Sequence, residues 1–323
     1  PIFQNNLKNL RIFTFEDWGQ SKDIFQDTNK NLAKLNNLLS MEVSLMCSKE
    51  NLDFHVPESL RILKLNLSHI EVTDISPTTP IIKSLASLID LIQFNLELEF
   101  SGQNKLDHSS CSQVLSQFLQ TIPGKLKGLM IRIQLPLLSR NIIAPKELLD
   151  IISKFEELEC LDLDIPMLQI LQESIPTKCL GYIKSLSIMK CGLILNSLSN
   201  LQTLENLDVS QPIDSNYDVL SNLLETISTC VNLKNLCVRF DSPVKQKIPS
   251  IIIDQICRLL KSISKIKTLQ ISIAGKEVSQ EEASKIFISL PWTFSLYYLY
   301  IHIGEYSFKR KPNRMYICNP SLE

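Results

Sequence analysis

The chain has 323 residues, 44% of them hydrophobic and 21% charged, with Lys plus Arg 33 against Asp plus Glu 34. That balance is globular, and a formal net charge of -1 supplies no general attraction to nucleic acid or anionic lipid. Glycine is scarce, with 8 residues in all, which works against glycine-rich phosphate loops and folds built on many tight hairpins.

Read from its start, the chain repeats one phrase: an apolar residue, two variable residues, a second apolar residue, then alternation. The phrase occurs at Leu7-Lys8-Asn9-Leu10-Arg11-Ile12, less regularly around Leu39, and again at Leu60-Arg61-Ile62-Leu63-Lys64-Leu65. Looser copies centre on Ile92 and Leu129, followed by Leu158 to Leu163, Ile183 to Leu193 and Leu204 to Val209. The last three are Leu233 to Val238, Ile266 to Ile271 and Leu296 to Ile301. Counted on the second apolar position (10, 39, 63, 92, 129, 161, 186, 207, 236, 269 and 299), the eleven copies recur with a mean spacing of about 28.9 residues. Period 2 within a copy places Leu63, Leu65 and Leu67 on one strand face and Lys64 and Asn66 on the other.

Between strands the spacing becomes helical. Ser112–Ile122, Tyr217–Ile227 and Ile251–Ile263 each carry one apolar stripe, the last through residues 252, 256, 259, 260 and 263. Pro249-Ser250 reads as a helix start with Ser250 as the capping type, and Ser279-Gln280-Glu281-Glu282 as a capping box. Prolines 123, 176 and 291 stand where helices should have ended. The final run, Lys309-Arg310-Lys311-Pro312-Asn313-Arg314, reads as a basic tail, and residues 315–318 as a cover for the edge of the strand at 296–303.

This pattern resembles the leucine-rich repeat family, in an irregular, ribonuclease-inhibitor-like form. The best copy is Ile183-xx-Leu186-x-Ile188-xx-Cys191-x-Leu193; most others lack the Asn/Cys position, so no continuous Asn ladder is expected. The resemblance implies an α/β solenoid, a horseshoe of about eleven strand-helix units over 1–308 with parallel strands on a concave face, and a tail at 309–323. A doubly wound α/β domain is the competing fold. Eleven copies exceed an ordinary open sheet, and no glycine-rich turn follows the first strand.

Catalytic chemistry is not found. No Cys-x-x-Cys and no paired histidine motif occurs, and His108-Ser109-Ser110-Cys111 reads as a loop with two ligands too few for zinc. The carboxylate pairs Glu97/Glu99 and Asp162/Asp164 fit a solvated strand face better than a glycosidase dyad. We therefore expect no enzyme, no cofactor and no metal. Nine scattered cysteines in apolar settings, the absence of any ~18-residue apolar run and an opening without a secretory signal lead to an expectation of a soluble intracellular protein. The cytoplasm is the expected compartment, with the nucleus as an alternative suggested by the basic tail.

The resemblance implies a scaffold, such as a subunit of a larger assembly, binding proteins through the outward strand residues. The expected binding set is Glu97, Glu99, Arg132, Asp162, Asp164, Asp208, Arg239, Tyr298, Tyr300 and His302. Its acidic middle suits a partner with a basic segment, and its aromatic end suits a binding hot spot. Neither nucleic acid nor membrane insertion is expected. The alternatives are a GTPase activator of the Ran-activator type, acting through Arg132 or Arg239, and a substrate-recognition subunit of a ubiquitin ligase.

Overall fold

The structure is a computed structural model that describes residues 11–16, 31, 35–47, 54–71, 78–101, 108–134, 152–171, 182–193, 202–212, 217–241, 247–274, 278–290, 296–311 and 314–318. The chain forms two compact units, Pro1–Gln169 and Ile170–Glu323. In the first, strands β1 (Ile12–Glu16), β2 (Ser40–Met46), β3 (Ile62–Glu71), β4 (Gln93–Ser101), β5 (Gly128–Gln134) and β6 (Cys160–Leu171) lie side by side in chain order. Every adjacent pair among them is parallel. Between strands run helices α1 (Thr79–Leu85) and α2 (His108–Thr121).

The second unit repeats the plan. Strands β7 (Ser185–Leu193), β8 (Asn206–Pro212), β9 (Asn235–Asp241), β10 (Thr268–Ile273) and β11 (Tyr298–Ile303) are parallel neighbours in order. Helices α3 (Asp218–Ser228), α4 (Ser250–Ser262) and α5 (Gln280–Ser289) connect them, α3 packing on α4 and α4 on α5. Strand after strand in sequence order, each joined to the next through a helix or looser segment, is a leucine-rich-repeat-like solenoid architecture of the α/β class.

Burial explains the repeat. The residue three before each strand's first core position is buried in ten successive turns: Leu38, Leu60, Leu91, Leu126, Leu158, Ile183, Leu204, Leu233, Ile266 and Leu296. The core positions that follow, such as Leu63/Leu65/Leu67 and Leu269/Ile271/Ile273, are buried as well. Burying one such side chain contributes roughly 1.5–3 kcal/mol, so a strand with one apolar face gains stability only when its neighbours cover that face. Helix α4 turns Ile252, Ile256, Leu259 and Leu260 inward, as its stripe predicts, and buries Ile253 beside them.

Register corrects three expected anchors. Phe13 pairs with Met41, Met41 with Leu63, and Leu63 with Phe94, so Phe13, Met41 and Phe94 take the positions expected of Leu10, Leu39 and Ile92. Leu39 and Ile92 are instead 36% and 38% exposed, two residues ahead of the core. With these anchors the spacing runs from 21 residues (Leu186 to Leu207) to 35 (Phe94 to Leu129).

The helix starts show both agreement and difference. The capping box of α5 is formed: Ser279 Oγ accepts the Glu282 N–H at 3.2 Å, and the Glu282 carboxylate accepts the Ser279 N–H at 2.9 Å. At α4 the capping position is Pro249, in extended conformation, rather than Ser250. The Ser250 hydroxyl donates across to Glu282 at 2.7 Å. His108–Cys111, expected as a loop, is the first turn of α2. Prolines 176 and 291 lie outside the described residues.

The carboxyl end differs most. Gly304, at φ +59, and Glu305 make a two-residue turn, and the chain reverses into β12 (Tyr306–Lys311), antiparallel to β11. A second reversal gives β13 (Arg314–Cys318), antiparallel to β12. The cover on β11 is therefore residues 306–311, with 314–318 one strand further out, and the boundary expected after 308 falls within β12. Phe308 is buried opposite Ile301 and faces the Phe287 ring at 6.3 Å, closing the core of the unit.

Candidate functional site

Side chains that alternate away from the core form an outer row on each strand, and register stacks these rows at about 4.8 Å per strand. In the first unit one row runs Glu42, Lys64, Asn95, Met130 and Asp162, and the next Ser44, Asn66, Glu97, Arg132 and Asp164. Lys64 Nζ meets Glu42 at 3.4 Å, and Asn66 donates to Ser44 Oγ at 3.2 Å. The expected acidic middle is partly answered from within: Arg132 lies 3.8 Å from Asp162, and Gln134 donates to Glu97 at 2.7 Å. Glu99 is exposed, opposite a bulge in β3 where the register shifts between Leu67 and Ile70 and His69 adopts a positive φ.

In the second unit the rows are Ser187, Asp208, Cys237, Gln270 and Tyr300, and Met189, Ser210, Arg239, Ser272 and His302. Arg239 grips both Asp208 oxygens, at 3.0 and 3.2 Å. Both bonds come from Nη2, so a single guanidinium nitrogen bridges the two carboxylate oxygens. Cys237 sits beside the pair, its thiol pushed up to about 11, first by burial and then by the Asp208 charge. Cys47 is pushed up to about 12 and Cys230 to about 11, burial being the leading cause in each, so these thiols are poor nucleophiles.

β11 carries the aromatic set. Tyr298, Tyr300 and His302 are half-buried on its outer side, and Tyr300 stacks on His302 with centroids 6.4 Å apart. Because β12 runs antiparallel, Lys309 falls opposite Tyr300 and Ser307 opposite His302. Lys309 Nζ stands 5.4 Å from the Tyr300 ring centroid, and His302 Nδ1 shares a 2.8 Å hydrogen bond with Ser307 Oγ. Burial, then the Lys309 charge, holds the His302 imidazole below its ordinary value.

The structure thus groups Glu97 with Arg132, Asp162 and Asp164 in the first unit, Asp208 with Arg239, and Tyr298 with Tyr300 and His302 in the second. Sequence reasoning missed Lys309 and Ser307, which it placed at or beside a tail. Gly304 was the available signal, since a lone glycine between two alternating runs marks a tight reversal. Among the described residues no cluster of three His, Cys, Asp or Glu side chains is arranged to hold a metal ion, and no helix is long and apolar enough to cross a membrane.

No family model matches the chain, and no curated protein matches it. A solved structure of an internalin (inlF) from Listeria monocytogenes str. 4b F2365 is similar over 82% of this chain and 77% of that one, at 13% identity and a TM-score of 0.36. At that level the fold assignment stands on the strand register itself.

Proposed function

We propose that the chain is a non-catalytic protein-interaction scaffold that holds its partners on the outer strand faces. The reading rests on the β11 surface: three half-exposed aromatic side chains on a paired strand, with Lys309 braced over Tyr300. Tyr is enriched among residues that carry binding energy, and one already held in place loses little freedom on binding. In the first unit Glu97, Glu99, Asp162 and Asp164 outnumber Arg132, which supports a basic segment as the ligand of that face. Buried thiols at Cys47, Cys230 and Cys257 accord with an intracellular, ribonuclease-inhibitor-like protein serving as a subunit of a larger assembly. A GTPase activator would draw first on Arg132 or Arg239, and both are engaged by aspartates.

The test is affinity capture from native extract, identification of the partner and titration of the purified pair. Replacing Tyr300 and His302 together by Ala should weaken binding at least about tenfold, as for a hot-spot pair. Reversing Asp162 and Asp164 to Lys should weaken a basic partner similarly. Unchanged affinity in both variants, with folding intact by circular dichroism, removes the outer faces from the function.

A further inference from the structure

On the outer side of β10, β11 and β12 the described residues include a cation, Lys309, and no carboxylate. Lys309 is exposed, and its ammonium stands 5.4 Å from the Tyr300 ring centroid with no acid in ion-pairing reach among the described residues. A cation–π contact positions an ammonium without neutralising it. Thr268, Gln270 and Ser272 on β10 are uncharged, and one strand further Arg239 is already balanced by Asp208. Glu305, the nearest acid in sequence, is exposed in the turn and does not pair with Lys309.

His302 lies beside this cation. Its Nδ1 is tied to Ser307 Oγ at 2.8 Å, and Ser307 is buried, so the ring is held from one side. Nε2 has no hydrogen-bond partner among the described residues. Antiparallel pairing sets Lys309 opposite Tyr300 and Ser307 opposite His302, which makes Lys309 and His302 diagonal neighbours, about 7–8 Å apart at the backbone. A carboxylate accepts charge-assisted hydrogen bonds at about 2.8 Å on each oxygen, and so reaches from an ammonium to an imidazolium across that diagonal. In the chain itself burial, then the Lys309 charge, disfavours the imidazolium. An anion between the two groups offsets the lysine, because an opposite charge at hydrogen-bond distance favours the protonated ring. The other neighbours of His302 bring no anion: Tyr300 stacks on it, Ser272 lies opposite on β10, and Cys237, its thiol pushed up to about 11, and Arg239 stand two strands away on β9. On β13, Cys318 pairs with Ser307 in register.

We infer that Lys309 and His302 together seat a carboxylate from an acidic segment of a partner protein, and that this carboxylate enters with a proton on His302. The inference rests on the protein-binding reading of the β11 surface and names the chemistry of what binds there. A phosphate suits the seat less well, since its higher charge is met by arginine forks or helix N-termini, and the described side chains around His302 offer neither. Single-stranded nucleic acid needs a cationic groove that tracks its backbone, which Lys309 alone does not make.

The experiment is fluorescence anisotropy on the full chain with a labelled (Asp-Gly)4 peptide, whose carboxylates stay charged down to about pH 5.5, and with (Ser-Gly)4 as the neutral control. At about 50 mM salt, saturable binding of the acidic peptide alone is expected, about fivefold tighter at pH 5.5 than at pH 7.5 because binding takes up a proton. His302→Gln should remove the gain on acidification. Lys309→Gln should weaken binding about tenfold, and Lys309→Arg should restore it, which separates a lost charge from a disturbed hairpin. Lys83→Gln with Lys154→Gln, which removes two exposed charges from the first unit, should leave binding intact. An affinity flat in pH, equal loss with Lys83→Gln and Lys154→Gln, no saturable binding at low salt, or tighter binding of a phosphoserine peptide or a 12-nucleotide oligothymidylate overturns the inference. A native partner that is lost in the Tyr300 and His302 variant but is indifferent to pH and to Lys309→Gln keeps the protein-binding reading and removes the carboxylate seat.

Discussion

His302 is set by three neighbours: Tyr300 stacks on it, Ser307 shares its Nδ1 hydrogen bond and Lys309 stands nearby. Burial and the lysine charge disfavour the imidazolium, so the folded-state value lies below the ordinary 6.5. Above pH 6.5 the ring is neutral in folded and unfolded chains alike, and its contribution to stability is fully present. As pH falls below 6.5 the unfolded chain takes up a proton that the folded protein resists, and stability declines until pH has passed through the folded-state value. Urea unfolding between pH 7.5 and 5 should show this decline, and His302→Gln should flatten it; parallel curves would remove His302 from the pH response. The residues on this face were legible from alternation alone, because period 2 dictates which side chains leave the core. Their partners were not, since Lys309 reaches Tyr300 only through a reversal of the chain.

The element that turns the chain is the Gly304-Glu305 turn. Gly304 has φ +59, and a Cβ placed there would lie 3.0 Å from Val278 Cγ2. A left-handed backbone costs a residue with a Cβ about 1–2 kcal/mol. Gly304→Ala should therefore lower the unfolding free energy by at least that much in chemical denaturation, and Gly304→Asn by less; an unchanged midpoint for Gly304→Ala would show that the turn relaxes freely. Helices were easier to read. The stripe in α4 and the capping box of α5 are both formed, because each is a local pattern of side chains with one physical outlet. Strand phase was harder where an apolar residue stands outside the core. Leu39 and Ile92 look like anchors by composition, yet register gives that role to Met41 and Phe94. Hydrophobicity reports what a side chain prefers, and pairing decides whether the fold grants it.

At the scale of the whole molecule, among the described residues each parallel strand of a unit pairs with the strand before or after it, so stability should be lowest where a strand's core-facing residues are least covered. β1 shows the expected state: Phe13 and Phe15 lie in the core-facing register but are only half-buried, and Ile12 is 69% exposed. Amide exchange should therefore be fast in β1 and slow in β3 and β4, whose core residues are closed on both sides. Uniform protection across these strands would contradict a nearest-neighbour stack. The repeat number and the α/β class were legible from sequence, because ten buried positions three residues ahead of a core anchor leave a recurring mark. The capping hairpin was hidden by its basic composition, which reads as a solvated tail. Within each unit one carbonyl at a strand start accepts two consecutive N–H groups from the next turn, as the Glu205 carbonyl does from Lys234 and Asn235, and this has a consequence for sequence change. Since it fixes register at the first residue of those turns, strand alignment does not depend on a constant spacing. Natural spacings from 21 to 35 residues already sample that freedom.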